Sequence, residues 1–526
     1  MHKQLKIVFA CTIVIFLIAV LMFYQYGVYL PTYDSGISSN LSSLENKNNL
    51  TDKYNSNYDY DDFVLDYKLL DDLEKIPSPY VLEVKLPNDT WPLGMMVGDN
   101  GTVWIGGTKS NQLLAYDPTS MNINSFSLKD NDSNVAKNST DYPELIWSIV
   151  ESDGRIWMSQ TGKNPLWVFD KSSHTFETRH DVTSSAVQMQ VDRDSGDIWF
   201  TDTDQNILGV IQKTDDNTYR IHEFDLGQDT SPFGLYLDDD KIWVTEPTNN
   251  KILGFDKIPR HGLISNITKN FELTSSNKTL FYYPSDLIVL DNKIWFTEHL
   301  TNFFLEYDLD TQELTRYPTS INPRHYGTLP FWNIKDLKDR GFWFVEHYGN
   351  RIAFFETKNK ILTEYEIPSR DPAWDYISNA IGMAIDPNNP DKLWFSELYL
   401  DKIGMVDRSM PVPFEIIIPY DNLKVDKKNK NQIIVDFTIN ILPSDAPIKN
   451  NEIFLKKSSS ITVSAGFGNM TVQIEPDHFK ISGLDTFEGK LILDGIQNVT
   501  RGNYTVSVSV TDGTVTKTDY VLLNVN

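Results

Sequence analysis

The chain has 526 residues, of which 40% are apolar and 23% are charged, a globular composition with enough apolar residues for more than one core. Its formal net charge of −25 argues against nucleic acid or anionic lipid as a partner of the globular part. The only cysteine, Cys11, excludes a disulfide framework within the chain.

The N-terminal segment is strongly apolar. Residues 7–24 (IVFACTIVIFLIAVLMFY) carry no charge, follow Lys3 and Lys6, and are long enough to span a bilayer. They predict an uncleaved transmembrane signal anchor, and hence a membrane-anchored protein with an extracytoplasmic ectodomain. A cleaved signal peptide is the alternative. Residues 25–79, rich in Ser, Asn, Asp and Tyr, predict a flexible stalk.

Between residues 80 and 409 the chain repeats one pattern seven times, at intervals of 42 to 53 residues. Each copy contains a short apolar run, a turn rich in Asp, Asn and Gly, a tryptophan strand and further strand-like segments. The seven tryptophans are Trp104, Trp157, Trp199, Trp243, Trp295, Trp343 and Trp394. Four-stranded units at this period predict an all-β fold, a seven-bladed β-propeller over residues 80–409. An open array of β-sandwiches is the alternative.

A candidate for closing the ring precedes the first repeat. Residues 80–87 (YVLEVKLP) lead into that repeat as LTEYEIP, from Leu362, leads into the seventh. We therefore expect Tyr80–Pro87 to form the outer strand of the seventh blade. The rival for this position is FEIIIP from Phe414.

Residues 411–526 lack the tryptophan repeat and alternate apolar and polar residues in longer strands. Their length and strand number predict an immunoglobulin-like β-sandwich. Asp512 and Gly513 separate the last two strands and predict a hairpin turn. Tyr504 lies early in the penultimate strand, where it is either a tyrosine corner or an ordinary strand aromatic. Adhesion, spacing and packing against the propeller are all open as roles for this region.

A carboxylate lies three residues after five of the seven tryptophans: Asp202, Glu246, Glu298, Glu346 and Glu397. In a propeller blade the tryptophan strand ends near the central pore, so a ring of carboxylates there needs a cation, raised pKa values or hydrogen bonds. The four glutamates are therefore candidates for an all-oxygen Mg²⁺ or Ca²⁺ site. The alternative is that each carboxylate caps the turn after its strand, a structural role that the repetition favours.

Two features occur in only some repeats. Glu298 and Glu346 alone are followed by histidine, so His299 and His347 are candidate general bases, with solvated turn residues as the alternative. An acidic and aromatic pocket on the top face is predicted from residues near the starts of the first strands and from the loop at residues 322–327. The pocket residues are Asp286, Trp147, Phe233, Phe331 and Trp332. Such walls suit a sugar or a small cyclic organic ligand, and plain blade packing is the alternative.

The pattern P-x-G-[IL] … [IL]-W-[FV]-[TS]-E … N-[KR]-I, seen most clearly in Ser231–Asp256, resembles the streptogramin (virginiamycin B) lyase family. The resemblance implies a seven-bladed propeller and a Mg²⁺-dependent lyase that opens a cyclic depsipeptide at its ester linkage by elimination. It also implies that Glu298 and Glu346 lie near the metal and that His299 or His347 is the base.

This sequence departs from the family pattern in two ways. The lyases place a histidine at the start of a first strand, and their Glu and His are separated by one residue, whereas in this chain the two are adjacent. The first-strand positions of this chain hold Leu93, Phe233, Ser285, Phe331 and Ile381.

Two functions are consistent with these features. The first is an extracytoplasmic propeller that binds a small cyclic organic molecule, a glycan or a surface protein on its top face without catalysis. The second is a metal-dependent carbon–oxygen lyase acting on a cyclic ester or a related substrate. A divalent ion beside a histidine would favour the enzyme, whereas carboxylates saturated by their own surroundings would favour the binding protein.

Overall fold

The computed structural model describes residues 78–128, 144–161, 166–179, 186–214, 218–238, 241–260, 263–275, 280–320, 328–370, 377–426, 428, 432–444, 448, 452–459 and 471–526. The predicted anchor, the predicted stalk up to residue 77 and the loop at residues 322–327 lie outside the described residues. Across the described ranges, no helix is long and apolar enough to cross a membrane.

The predicted all-β architecture is confirmed, and the repeats form successive antiparallel units of four strands. Before the first unit lies β1 (Val81–Lys85). The first unit contains β2 (Pro92–Val97), β3 (Val103–Gly107), β4 (Gln112–Asp117) and β5 (Asn122–Ser127). The second contains β6 (Ile149–Ser152), β7 (Arg155–Ser159), β8 (Leu166–Asp170) and β9 (Thr175–Arg179). The third contains β10 (Gln188–Val191), β11 (Ile198–Asp202), β12 (Ile207–Lys213) and β13 (Tyr219–Asp225).

The remaining units follow the same order. The fourth contains β14 (Leu235–Asp238), β15 (Lys241–Glu246), β16 (Lys251–Arg260) and β17 (Leu263–Thr274). The fifth contains β18 (Pro284–Leu290), β19 (Lys293–Glu298), β20 (Phe303–Asp308) and β21 (Leu314–Pro318). The sixth contains β22 (Pro330–Lys335), β23 (Gly341–Glu346), β24 (Arg351–Glu356) and β25 (Ile361–Glu366). The seventh contains β26 (Ala380–Ile385), β27 (Lys392–Glu397) and β28 (Lys402–Asp407).

Residues 411–526, called the C-terminal module below, form two further groups of strands. They are β29 (Phe414–Ile417), β30 (Asn422–Val425), β31 (Gln432–Ile441), β32 (Glu452–Ser459), β33 (Thr471–Glu475), β34 (His478–Lys480), β35 (Thr486–Asp494), β36 (Gly502–Thr511) and β37 (Val515–Val525). One sheet has the order β29-β31-β35-β33. The other strands continue the sheet of the sixth unit, because β25 pairs with β37.

The tryptophan strand is the second strand of each unit and is deeply buried, since other strands flank it and apolar side chains cover both its faces. In β23, all six residues are buried. Trp295 of the fifth unit packs against Phe342 and Phe355 of the sixth, with ring centroids 5.7 and 5.3 Å apart. The tryptophan therefore recurs because each copy fills the core between two neighbouring units.

The first strands contact one another in a closed cycle that runs through β2, β6, β10, β14, β18, β22 and β26 and returns to β2. Glycine lies where two of these strands approach closely. A Cβ atom added at Gly94 would lie 2.9 Å from the carbonyl oxygen of Ile146, and one added at Gly382 would lie 2.0 Å from that of Leu93. The glycine at this position of the first strand thus permits the close approach.

Replacing Gly382 by alanine is expected to lower the free energy of unfolding by roughly 1–3 kcal/mol, because the obstructing atom is backbone and cannot rotate away. Urea denaturation would measure the change. Gly483→Ala is the matched control, since nothing lies within 4 Å of its added Cβ. Equal stability of the Gly382 and Gly483 variants would contradict the assigned role of Gly382.

Strand β1 pairs antiparallel with β28 over its whole length, from Val81 opposite Val406 to Lys85 opposite Lys402. The expectation that Tyr80–Pro87 supplies the outer strand of the unit containing Trp394 is therefore confirmed. The rival segment from Phe414 forms β29 and pairs with β31 of the C-terminal module instead.

In the C-terminal module the predicted hairpin is confirmed, and of the two alternatives for Tyr504 one is favoured. Strands β36 and β37 form a hairpin around Asp512 and Gly513, and the Asp512 carboxylate accepts the backbone N–H of Thr514 at 2.8 Å. The Tyr504 hydroxyl donates back to the carbonyl oxygen of Thr500 at 3.2 Å, the hydrogen bond expected of a tyrosine corner.

Candidate functional site

Three of the predicted metal-binding glutamates lie opposite a basic residue on the neighbouring strand. Glu246 is paired with Lys251, Glu346 with Arg351 and Glu397 with Lys402. The basic residue is the one in the N-[KR]-I part of the repeat, which reads D-K-I at Lys402. The glutamate and this cation therefore recur together as a cross-strand pair, which is a structural reason for the repetition.

Glu298 lacks such a residue on its third strand and obtains its partners elsewhere. Its carboxylate accepts the Tyr282 backbone N–H at 2.7 Å and the Thr301 hydroxyl at 3.0 Å. The guanidinium of Arg316, on the fourth strand, lies 3.5 Å away. Burial raises the pKa of Glu298, and Arg316 acts in the opposite direction. Glu298 thus binds a hydroxyl of its own turn, a backbone N–H of the segment before the first strand, and a cation, and it does not cap backbone amides of the turn that follows it.

Glu346 belongs to a buried charge network. Arg351 Nη2 lies 3.0 Å from a Glu346 oxygen, as an ion pair and not as an aligned hydrogen bond. The same guanidinium lies 3.8 Å from Glu364 and 3.9 Å from Glu366. Arg370 adds a second cation, 3.0 Å from Glu366. Burial raises the pKa of Glu346 well above its usual value, Arg351 lowers it, and Glu364 raises it further.

The remaining repeated carboxylates differ in their surroundings. Asp202 accepts the backbone N–H groups of Asp204 and Gln205, both at 2.8 Å, and so caps its own turn. Burial raises the pKa of Glu397 well above its usual value, and the nearby Glu83 carboxylate adds to this effect. Burial also raises the pKa of Glu246.

The predicted cation site requires several of these carboxylates in one group. Within the described part of the chain, no three His, Cys, Asp or Glu side chains form a group that could hold a metal ion. The Glu298 carboxylate is already engaged by Tyr282, Thr301 and Arg316. A Mg²⁺ or Ca²⁺ site therefore stays a prediction.

His299 and His347, called the histidine pair below, hold equivalent places just after the second strands of neighbouring units. Their ring centroids are 5.7 Å apart and the ring planes are nearly perpendicular, at 82°. The Phe331 ring contacts both, with centroids 4.5 Å from His299 and 6.4 Å from His347. The structure thus joins both predicted bases and one predicted pocket residue at the face where first strands begin.

The backbone that leads into the first strands supports the histidine pair. The N–H of His299 donates to the carbonyl oxygen of Tyr283 and the N–H of His347 to that of Leu329, both at 3.2 Å. Tyr283 and Leu329 adopt left-handed φ values of 52° and 49°, although each precedes a proline, where such backbone is disfavoured. The conformation recurs before other first strands, at Trp91, Ser231 and Asn379. It is therefore a feature of the repeat that the histidine pair uses.

Burial lowers the pKa of His299 from its usual 6.5 to about 4, although the carbonyl groups of Pro330 and Leu329 act in the opposite direction. Its Nδ1 atom is buried and makes no hydrogen bond with the described residues. At neutral pH the ring is therefore uncharged. In an uncharged imidazole one ring nitrogen donates a hydrogen bond and the other accepts one, and the tautomer decides which.

This lowered pKa predicts a pH dependence of stability. In the unfolded chain the His299 ring binds a proton near pH 6.5, whereas in the folded chain it does so only near pH 4. The contribution of His299 to the free energy of unfolding is therefore complete above pH 6.5. This contribution is lost as the pH falls from 6.5 to 4. An NMR titration of the His299 ring should give a pKa well below 6.5, and Phe331→Ala should move it back toward 6.5 by exposing the ring. A wild-type pKa at or above 6.5 would contradict the burial of this ring.

The predicted pocket aromatics pack on one another near the starts of the first strands. Trp147 and Trp332 stack with centroids 6.4 Å apart, and Phe233 lies 5.6 Å from Phe331. Trp147, Phe233 and Phe331 are buried in one apolar cluster, whereas Trp332 is half-buried. Trp147 and Phe233 therefore pack in the core between units, which is the alternative to a role in a ligand pocket. Phe331 connects that cluster to the half-buried histidine pair.

Asp286 lies deep between units. It accepts the backbone N–H of Asn333 at 2.8 Å and the side-chain amide of Gln188 at 3.0 Å, which ties together the third, fifth and sixth units. Burial raises its pKa to about 7, against the effect of these hydrogen bonds. The carboxylate therefore joins first strands rather than lining an open pocket.

A separate cleft of about 630 Å³ lies between the third and fourth units. Glu246 is the one predicted site residue that lines this cleft. Lys251 and Glu272 line it as well. These three side chains lie close together, because Lys251 pairs with Glu272 at 3.2 Å and stands opposite Glu246. The cleft is therefore separate from the histidine pair.

Several contributors to the site were missed by the sequence analysis. The Tyr283 ring lies 6.5 Å from that of His299, and the Tyr348 ring stacks on His347 with centroids 5.5 Å apart. The position of Tyr283 just before the proline of a first strand was an available signal. Nothing in the repeat marks Arg316, because it replaces a cation that other units carry on a different strand.

Comparisons with known proteins agree with the sequence pattern. A model of the virginiamycin B lyase family matches residues 146–417, just over half of the chain. The chain is 22% identical to virginiamycin B lyase from Staphylococcus aureus, with a TM-score of 0.48 over 62% of this chain and 98% of that one. A catalytically inactive form of that enzyme with quinupristin gives 22% identity and a TM-score of 0.47, over 62% and 98%. A streptogramin B lyase structure gives 22% identity and a TM-score of 0.48, over 62% and 96%. No curated protein matches the chain.

Proposed function

The chain belongs to the virginiamycin B lyase family, and from this premise we propose that it binds a small cyclic organic ligand over the histidine pair. The observation that carries the proposal is the convergence of His299, His347 and Phe331 from two neighbouring units. Half-buried rings of Tyr283 and Tyr348 flank the pair. Such a surface offers aromatic faces together with imidazole nitrogens, which suits a ligand with apolar rings and amide or ester groups.

The scaffold of this surface is proposed to be a closed seven-bladed propeller. The cyclic contacts among first strands and the pairing of β1 with β28 support closure, because together they leave no gap between the first and last units. The C-terminal module is proposed to be an immunoglobulin-like sandwich, which the Tyr504 hydrogen bond supports.

Binding without catalysis is favoured by the charge state of the site. A general base works best when its pKa lies near the working pH, whereas the pKa of His299 is lowered to about 4. Glu298 and Glu346, the glutamates that precede the two histidines, are ion-paired with Arg316 and Arg351. The site therefore has hydrogen-bonding and aromatic groups, and the pKa of His299, one of its two candidate bases, lies below neutral pH.

A lyase acting on a cyclic ester is the second candidate, and the buried, hydrogen-bond-free Nδ1 of His299 favours it. In an elimination, the base takes a proton from carbon, a carbon–carbon double bond forms, and the ester C–O bond breaks to release a carboxylate. His299 is the residue placed to take that proton, with His347 beside it. The ring-opened product has the same mass as the substrate, because no water is added.

Calorimetric titration of the full-length chain in detergent with quinupristin, as a cyclic depsipeptide probe, tests the proposal. Saturable binding is expected for the wild type, and a His299→Ala/His347→Ala variant should bind about tenfold more weakly, or about 1.4 kcal/mol. His478→Ala, a change at an exposed histidine of the C-terminal module, should bind as the wild type does. Absence of wild-type binding, or equal binding by the double variant, would overturn the proposal.

Chromatography of the recovered probe separates the two candidates. The binding proposal expects unchanged quinupristin after long incubation with and without added Mg²⁺. A ring-opened isomer of equal mass that disappears in the His299→Ala/His347→Ala variant would establish the lyase instead.

The location is proposed from residues 7–24, which lie outside the described residues. We propose that this segment anchors the chain in a membrane with the propeller on the extracytoplasmic side. Protease added to intact cells should remove the propeller and leave a membrane-bound N-terminal fragment. Complete protection from protease, or recovery of the uncleaved chain in the soluble fraction, would contradict this arrangement.

A further inference from the structure

We propose that the C-terminal module positions the histidine pair, by holding the outer strands β21 and β25 whose side chains support Glu298 and Glu346. The inference gives a role to residues 411–526 beyond that of a spacer. It rests on the proposed function only in that the histidine pair is the site being positioned. Two separate lines of contact lead from the module to the residues just before His299 and His347.

The first line runs through the fifth unit. The Thr505 hydroxyl of β36 donates to the backbone carbonyl oxygen of Arg316 in β21. The Arg316 guanidinium donates to the carbonyl oxygen of Leu280 at 2.6 Å and lies 3.5 Å from Glu298. Glu298 directly precedes His299. The backbone position of Arg316 therefore determines where its guanidinium meets Glu298.

Glu298 and His299 are anchored to the same short segment. The Glu298 carboxylate accepts the N–H of Tyr282, and the carbonyl oxygen of the following residue, Tyr283, accepts the N–H of His299. A shift of Glu298 therefore moves the backbone that holds the His299 ring. The Glu298 side chain is itself buried, so such a shift is passed on to the residues packed around it.

The second line runs through the sixth unit. Strand β37 pairs with β25 from Leu362 opposite Thr518 to Tyr365 opposite Val515. The Glu366 backbone N–H donates to the carbonyl oxygen of Thr514 at 3.0 Å. This pairing fixes the strand that carries Glu364 and Glu366.

Those two acids position the charge that faces Glu346. Glu364 and Glu366 lie 3.8 and 3.9 Å from Arg351, which lies 3.0 Å from Glu346. Glu346 directly precedes His347, so the pairing of β37 with β25 reaches the second histidine through one buried cation. The two lines are thus equivalent, since each ends at the glutamate before a histidine.

Tyr520 of β37 joins the two lines in the core between the fifth and sixth units. Its hydroxyl donates to the carbonyl oxygen of Pro318, at the end of β21, at 2.7 Å. Its ring packs edge-on against Tyr317 at 5.3 Å and contacts Phe355 at 6.2 Å. Because a side chain of the module fills the core of the repeat region, the module is part of the packing that holds both histidines.

The test uses the full-length chain labelled with ¹⁵N-histidine, without ligand, and the variants Thr505→Val and Tyr520→Phe. Each variant removes one hydroxyl that contacts β21 and keeps the rest of the side chain. We expect the ring signals of His299 and His347 to shift in the double variant by more than those of His174, His222 and His478. The milder single variant Thr505→Val should shift His299 more than His347, and it serves if the double variant does not fold.

Tyr504→Phe is the matched control, because it removes a neighbouring hydroxyl whose hydrogen bond stays within the module. It should leave the His299 and His347 signals in place. Unchanged signals in the folded variants, or equal shifts in the control, would overturn the positioning role. Since no ligand is present, failure of this inference and failure of the ligand proposal give different results.

Discussion

Replacing Arg351 by methionine is expected to lower the free energy of unfolding by about 3–5 kcal/mol, the cost of removing one partner from a buried ion pair. The guanidinium is only 1% exposed and is surrounded by Glu346, Glu364 and Glu366. Methionine fills much of the space of the arginine side chain but carries no charge. Arg370 then remains as the cation beside Glu366. The cost arises mainly from the carboxylates that remain buried without their counter-charge. Chemical denaturation at pH 7 would measure it.

Lys251→Met is the matched control, because Lys251 holds the same cross-strand position opposite Glu246. Its side chain is 32% exposed, and water can replace part of its interaction with the acids. We therefore expect a loss of at most about 1 kcal/mol. Similar losses for the two variants would show that burial does not distinguish these pairs, and would contradict the expected cost of Arg351→Met.

Replacing Asp286 by alanine is expected to lower the free energy of unfolding by about 3 kcal/mol at pH 5. The change leaves the buried donors of Asn333 and Gln188 without their acceptor and removes the tie between three units. Asp286→Asn keeps the volume and should cost less than alanine. It still places an amide group where two donors converge, so it should not reach wild-type stability.

The effect of Asp286 depends on pH because its pKa is raised to about 7 in the folded chain. In the unfolded chain the carboxyl loses its proton near pH 4. Between these values the folded state holds the extra proton, so the contribution of Asp286 to stability falls as the pH rises from 4 to 7. The cost of Asp286→Ala should therefore be smaller at pH 8 than at pH 5. An equal cost at both pH values would contradict the raised pKa.

The repeated four-stranded units could be predicted from the sequence because each repeated residue has the same structural role in every unit. Tryptophan fills the core between units, glycine permits the approach of first strands such as that at Gly382, and the glutamate recurs with a cation on the next strand. The closing strand before Pro87 was predictable for the same reason, since it resembles the outer strand of other repeats. The histidine pair was found because it departs from the repeat in two adjacent units.

The supporting contacts were not predictable, because they join residues that no local pattern relates. Arg316 replaces a cation that other units carry on their third strand. Tyr520 reaches into the repeat region from 202 residues away along the chain. The burial of Asp286 likewise depends on the register of three first strands, and period and composition leave that register undetermined.

The most direct test of the proposed binding surface is to follow the ¹⁵N-labelled histidine rings during titration with the cyclic depsipeptide probe. If the histidine pair is the binding surface, the signals of His299 and His347 should shift and saturate together, while His174, His222 and His478 stay in place. Phe331→Ala, which removes the ring between them, should weaken the response at both. Saturable binding that leaves the His299 and His347 signals unmoved would contradict the proposal, because the ligand would then occupy another part of the molecule.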